Sequence, residues 1–439
     1  GRIAIRSGQF SMEGATLEAN RTSIVPSLVS SPAATGGIAI HAEDIALSHG
    51  SSVIASTSGG AAGPIKFEAS TFRSNVALDG VPLTGAAPVT IASTSSGPGG
   101  AGTITITGKA GGPADALLLS HTHVVTGVGN AADPTVAPGN IEMTAQHVEL
   151  INGTVMRADT TGGADAGAIT LNVDTLTTQS GPDGRVLFSA DSHCGSQCFG
   201  GQAGDITIQG LRDPAHSVTR NYSFIFTPEL GRTDPLTMYF ARRLDVQGTD
   251  LQSQATGHAP GGKVIMRGQE QVSLTDTSIS VATQDFHLKG NKPNGQPARY
   301  QGLSNIDIMS SEIVLNESTI KADAEVSDIG TCPTCQGGPT AGEIWLRADR
   351  SVTATNSFIT NTSRGRAQAG LTKIIKDHYF TEGAIWDTLY PDEPTGTVHL
   401  INSEVTVEAL HSGLPGYLRI RADKVVLDHT VLSSSANDV

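Results

Sequence analysis

Hydrophobic and polar residues alternate in short bursts along nearly the whole chain. From Ile38 the sequence reads IAIHAEDIALSHGSSVIAS, and from Val264 it reads VIMRGQEQVSLTDTSISVA. From Ile306 it reads IDIMSSEIVLNESTIKADA, and from Leu418 LRIRADKVVLDHTVLSSSA. Each run is aliphatic-x-aliphatic, a small residue or turn, aliphatic-x-Leu, a second turn, then aliphatic-x-Ala or Ser. Alternation with period two is the signature of a strand that faces a core on one side. The segments favour β-branched residues, and Gly, Asn, Asp and Ser collect at the bends. The pattern therefore predicts units of three strands, each roughly 3–5 residues long.

A Gly-x-Ile mark, or a close variant, opens each unit. Its aliphatic residue falls at Ile3, Ile38, Ile65, Ile104, Ile141, Ile169, Ile206, Val264, Ile306, Ile344, Val398 and Leu418. At Ile306 a serine, Ser304, replaces the glycine. The marks are 20 to 58 residues apart, so no fixed period shows. The variable length is expected at one corner, between the third strand and the next mark, where a solenoid faces solvent and tolerates insertion. Twelve triplets predict an all-β fold, a right-handed parallel β-helix of about twelve three-strand coils with corner-loop insertions. At about 4.8 Å per coil the rod would be about 55 Å long. An antiparallel sandwich would not repeat its strands and turns in triplets. The whole chain, 1–439, reads as one shaft segment.

The run GNIEMTAQHVELING from Gly139, followed by a Gly/Ala-rich loop and another Gly-x-Ile, resembles the repeats of filamentous-haemagglutinin-type exoproteins. The resemblance covers nearly the whole chain and carries no catalytic signature. It implies a β-helical protein secreted by bacteria through the two-partner route, with an outer-membrane transporter as partner during secretion. It further implies a place on the bacterial cell surface. That family's amino-terminal secretion domain is not recognisable. The chain opens on Gly without a basic-then-apolar leader, so a processed product or a segment of a longer shaft is expected.

Composition narrows the function. Glycine is abundant at 51 residues and aromatics are scarce at 4%, which suits a lean core of Ile, Val, Leu and Ala. The net charge of −14 argues against nucleic acid as a partner. No run of about 18 apolar residues is present, so no membrane-spanning helix is expected.

Two interruptions stand out. An aromatic-rich insert at 211–262 and a second at 364–395 hold Tyr222, Phe224, Phe226, Tyr239, Phe240, Tyr379, Phe380, Trp386 and Tyr390, nine of the nineteen aromatics. The second is expected to be partly helical, because Ile374, Ile375 and Tyr379 have helix-like spacing from Leu371 to Trp386. These rings either bury themselves on the solenoid as lids or contact a partner protein or glycan. The cysteines form two close pairs, Cys194 with Cys198 and Cys332 with Cys335. Their loops lead into coils three apart, about 14 Å at the strand spacing, too far for one zinc ion. Two local disulfides are the expectation for a secreted chain. His121 and His123 lie on an alternating run and project the same way, but two ligands are too few for a metal site. Sequons occur at Asn20, Asn152, Asn221, Asn316 and Asn361.

The β-helix also hosts polysaccharide lyases and hydrolases, whose chemistry needs carboxylates at one template position on adjacent coils. The pairs Arg157/Asp159 and Lys321/Asp323 share a position but are four coils apart, and Arg347/Asp349 and Arg421/Asp423 share another. No carboxylate column, cofactor motif or nucleophile motif is read, so an enzyme is not expected. Two readings remain: the shaft of a surface adhesin, and a structural subunit or sheath component of an extracellular filament. In the second, end-to-end self-association would pair the strand edges that terminate a solenoid.

Overall fold

The computed structural model describes residues 2–20, 36–58, 60–97, 99–131, 136–193, 201–213, 217–220, 236–256, 260–284, 304–325, 342–364, 370–376, 396–410 and 416–437. Among these the chain is a parallel β-helix of twelve coils. The register is carried by one inward column. Ile3 pairs with Ile38, Ile38 with Ile65, Ile65 with Ile104, Ile104 with Ile141, and Ile141 with Ile169. Ile169 then pairs with Ile206, Ile206 with Val264, Val264 with Ile306, and Ile306 with Ile344. Each aliphatic sits on the one below it, so a single apolar cluster runs from Ile38 to Val405. Large rings are few inside; Phe67 and Phe72 meet edge to face with centroids 5.1 Å apart. The first and last coils have a neighbour on one side only, and their inward residues Ile3, Phe10, Leu418 and Ile420 are half-covered.

One sheet contains the first and second strands of every coil, and the other contains the third strands. The first has nineteen segments rather than twenty-four, because in five coils the first two strands run on as one bent strand. Ile141–Ile151, Ile169–Gln179, Lys263–Thr275, Asn305–Asn316 and Glu343–Thr355 are 11 to 13 residues long, not the short pieces expected. In Ile141–Ile151 the bend is made by two successive outward residues, Gln146-His147, and the register with Ile169–Gln179 is kept through it. Between Lys263–Thr275, Asn305–Asn316 and Glu343–Thr355 the register slips at the bend.

The eleventh coil corrects the sequence reading. Its first strand is Leu371–Lys376, with Thr372 paired between Ile344 and Leu418. Val398 belongs to the second strand, where it pairs with Val352 and Val425. The count of twelve holds, but the mark of coil 11 is Gly370-x-Thr372. Threonine disguised it, and the Thr372 hydroxyl is buried with no partner. Leu371–Lys376 is therefore strand where a helix was expected. Short apolar runs are ambiguous between the two, and pairing on both edges decides.

Both aromatic inserts also lie at a different corner from the one expected. Ile206–Gln209 is the first strand of coil 7 and Ala241–Gln247 its second, so that insert separates first from second strand. Residues 241–256 within the assigned 211–262 range are ordinary coil. Likewise Leu371–Lys376 and Thr397–Ile401 bracket the second insert. Part of the first insert returns as an antiparallel hairpin, Ser217–Arg220 with Leu236–Tyr239.

Two corners are built by repeated chemistry. Between second and third strands, eleven of the twelve coils place a residue in the left-handed region at the same step: His49, Asn75, His121, Asn152, Asp276, Glu317, Asn356, Asn402 and His429, with Gly14 and Gly248 in the same role. Asn and Asp tolerate this region best after glycine. In eight of these coils the residue that follows, or the next but one, is a buried Ser or Thr: Ser51, Thr122, Thr154, Thr249, Thr277, Ser318, Ser357 and Ser403. Ser318, Ser357 and Ser403 donate to Asn316, Thr355 and Ile401 carbonyls at 2.9, 2.8 and 2.8 Å. The same hydroxyls accept the amides of Thr277, Ser318 and Ser357 from the coil below at 3.3, 3.2 and 3.2 Å. The result is a ladder of hydroxyls inside the corner.

At the corner before each first strand the glycines of the mark stack. A Cβ on Gly167 would stand 1.7 Å from the Gly139 carbonyl oxygen, and one on Gly204 1.9 Å from that of Gly167. Inward polar side chains hold this backbone: Ser93 donates to Gly63 and accepts from Gly102, while Asn361 donates to Gly342 and accepts from Gly370.

Candidate functional site

The outward face of the third-strand sheet carries the most developed polar arrangement. In coil 5, Val155–Gly162 points Met156, Ala158 and Thr160 inward and Arg157, Asp159 and Thr161 outward. In coil 6, Arg157 is paired with Ser189 and Thr160 with Ser192, which sets Asp191 opposite Asp159. Two carboxylates thus occupy one template position on adjacent coils, where none was expected to stack.

Their oxygens are taken up by the fold. Asp159 Oδ1 accepts the Asp191 amide at 2.9 Å and the Ser189 hydroxyl at 2.6 Å, while Oδ2 faces Arg157 Nε at 3.1 Å. Asp191 Oδ1 accepts the Gln254 amide at 2.7 Å, and Oδ2 is 3.1 Å from Ser189 Oγ and 3.9 Å from His193 Nε2. Each carboxylate stands in for a backbone carbonyl where the coil-6 strand is interrupted between Ser189 and Ser192. Burial pushes the Asp191 carboxyl above its ordinary value, and the Asp159 charge adds to the rise. Asp191 is buried with both oxygens engaged and organises backbone, whereas Asp159 does so through Oδ1 while its Oδ2, beside Arg157, reaches the surface.

Beside Asp159 the sheet surface opens into a shallow groove of about 280 Å³. Thr94, Ser95 and Ser96 of coil 3 form one bank; Arg157, Asp159 and Thr161 of coil 5 form the other. The floor is coil 4, from Val125 to Gly129. Above it, His121 and His123 meet edge to face with centroids 6.0 Å apart. His121 is a left-handed corner residue, not a strand residue as read from the alternation, and its Nδ1 lies 3.1 Å from the Ala86 carbonyl and 3.5 Å from Asp183 Oδ2. Burial, then His121, then Arg157 hold His123 below the usual imidazole range. No group of three or more His, Cys, Asp or Glu could hold a metal among the described residues.

A second cluster lies on the first-strand face. Trp345 has the Lys373 ammonium 3.8 Å and the Arg347 guanidinium 4.9 Å from its ring centroid, a cation–π arrangement. Arg347 Nε and Nη2 both reach Asp307, at 3.0 and 2.6 Å.

Of the residues singled out in the sequence, Cys194, Cys198, Cys332 and Cys335 lie outside the described residues, as do Tyr222, Phe224, Phe226, Tyr379, Phe380, Trp386 and Tyr390. Tyr239 is half-buried. Phe240 is buried with Met238 against Met309, so its ring covers the outer flank of the solenoid. Asn361 and Asn152 are buried within the coil stack, while Asn20 is exposed. The stacked carboxylates and the groove were not found from sequence. The signal was there: Arg157-Ala-Asp-Thr in coil 5 is followed by Ser189-Ala-Asp-Ser in coil 6. No helix of the described residues is long and apolar enough to cross a membrane. The chain matches no protein-family model, no curated protein and no solved structure.

Proposed function

We propose that the chain is the shaft of a secreted bacterial surface protein of the filamentous-haemagglutinin kind, serving attachment or surface structure. The observation that carries this reading is the stacking: one inward column continues through all twelve coils, and the described strands on either side of each large insertion end at a corner. Such a stack sets a distance and displays loops along it, which is what a stalk does. The stacked carboxylates, bonded into the backbone, add no exposed pair of acid and base.

Two measurements test the reading. Protease added to intact source cells should release peptides of this chain without lysis; peptides obtained only after lysis would refute a surface location. Electron microscopy of the purified chain should show single rods, whereas open polymers with a fixed subunit repeat would replace the shaft by a filament subunit.

A further inference from the structure

The floor of the groove contains a glycine that the fold does not demand. Gly127 is required: its φ is +156° and a Cβ there would lie 2.0 Å from the Asp159 carbonyl oxygen. Gly129 is different. Its backbone is outside the left-handed range, and a Cβ would find its nearest neighbours at 3.8 Å, ordinary contact. The ladder slips between Gly129 and Ala131, but such a bulge calls for glycine only at a left-handed position. Glycine weakens a strand, and where no steric reason exists it marks close approach of something else to the backbone.

What can approach is set by the banks. Arg157 and Asp159 neutralise each other at 3.1 Å, so the groove offers no net charge to an ion. They do offer a donor and an acceptor side by side, with Arg157 half-exposed, and Val125 with the bare backbone of Gly127 and Gly129 supplies an apolar strip between them. Adjacent donor and acceptor suit neighbouring hydroxyls, and an apolar strip suits the C–H face of a sugar ring. We infer that this groove binds a neutral oligosaccharide across the third strands of coils 3 to 5, one ring lying on Gly129. Its volume of about 280 Å³ is at the small end for ligand sites, so it holds a ring or two, with weak affinity that a rod gains from several contacts.

This site stands on the groove alone; a failed surface-exposure experiment leaves it intact, and its own failure leaves the shaft reading intact. The test is saturation-transfer NMR and calorimetry on the full chain with cellohexaose, maltohexaose and mannohexaose, and with a heparin hexasaccharide as the charged comparison. At least one neutral hexasaccharide should bind at millimolar concentration or below. Gly129→Val should weaken it at least about tenfold with an unchanged melting temperature, and Arg157→Gln should do the same. Should Gly129→Val disturb the fold, Gly129→Ala replaces it and should weaken binding measurably. No binding by any of the three neutral sugars, binding of the heparin fragment alone, or neutral-sugar affinity indifferent to Gly129 and Arg157 would overturn the inference.

Discussion

Replacing Ser357 with alanine probes whether the corner hydroxyls hold successive coils together. The Ser357 hydroxyl donates to the Thr355 carbonyl at 2.8 Å and accepts the Ser318 amide of the coil below at 3.2 Å, and both serines are buried. Alanine leaves the Ser318 N–H without an acceptor where water does not reach, a cost of about 1–3 kcal/mol. The Ser357 amide keeps its own acceptor, Ser403, so the damage is confined to one interface. Because coils touch only their neighbours, the loss lowers the local opening energy of coils 9 and 10 rather than being shared by the rod. A loss of about 2 kcal/mol corresponds to roughly 30-fold faster exchange of the Ser318 amide. Amide hydrogen exchange resolved at Ser318 reads this directly. Ser357→Thr is the control, because Thr277 and Thr430 hold the equivalent position in other coils with the same donation pattern. An unchanged exchange rate in Ser357→Ala, or a threonine as harmful as alanine, would refute the ladder.

Three further substitutions test other features. Gly167→Ala drives a methyl into the Gly139 carbonyl and should cost upward of about 3 kcal/mol, whereas Gly129→Ala should stay within about 0.5 kcal/mol in the same thermal melts; equal effects would contradict the glycine stack. Arg347→Lys keeps the charge but loses the two-pronged contact with Asp307, and should lower stability by about 1–2 kcal/mol in a denaturant titration. Asp191 has a raised folded value, so its protonated form favours the fold; that contribution is complete below the ordinary 3.8 and is lost as pH rises through the raised value. Asp191→Asn keeps an oxygen for the Gln254 amide, so its melting temperature should gain on the wild type from acid toward neutral pH. A gain that grows toward acid instead would reverse the assignment.

The repeat was legible because the inward column is almost entirely aliphatic, and stacking identical residues needs no long-range information to be read. It failed at coil 11, where Thr372 takes an aliphatic position and Gly396-x-Val398 imitates the mark. Nothing local separates those two; only the pairing of Thr372 with Ile344 and of Val398 with Val352 does. The merged first and second strands were missed because Gln146-His147 and its equivalents look like a turn, whereas the strand continues across them, in register at Gln146-His147 and with a slip in coils 8 to 10. The groove was hidden for another reason. It is made by side chains absent at Gly127 and Gly129, flanked by residues 28 or more positions away in sequence, and a missing side chain leaves no motif.

The ladder bonds of both sheets run between coils, so they point along the rod. A pull on its two ends loads one coil edge at a time and peels the stack turn by turn. The lengths released are written in the register: 28 residues between Ile141 and Ile169, and 58 between Ile206 and Val264. At about 3.4 Å per residue these are extensions of roughly 95 and 200 Å. A tether of this kind lengthens under load in unequal steps, and the lengths of the corner insertions set how far each step yields.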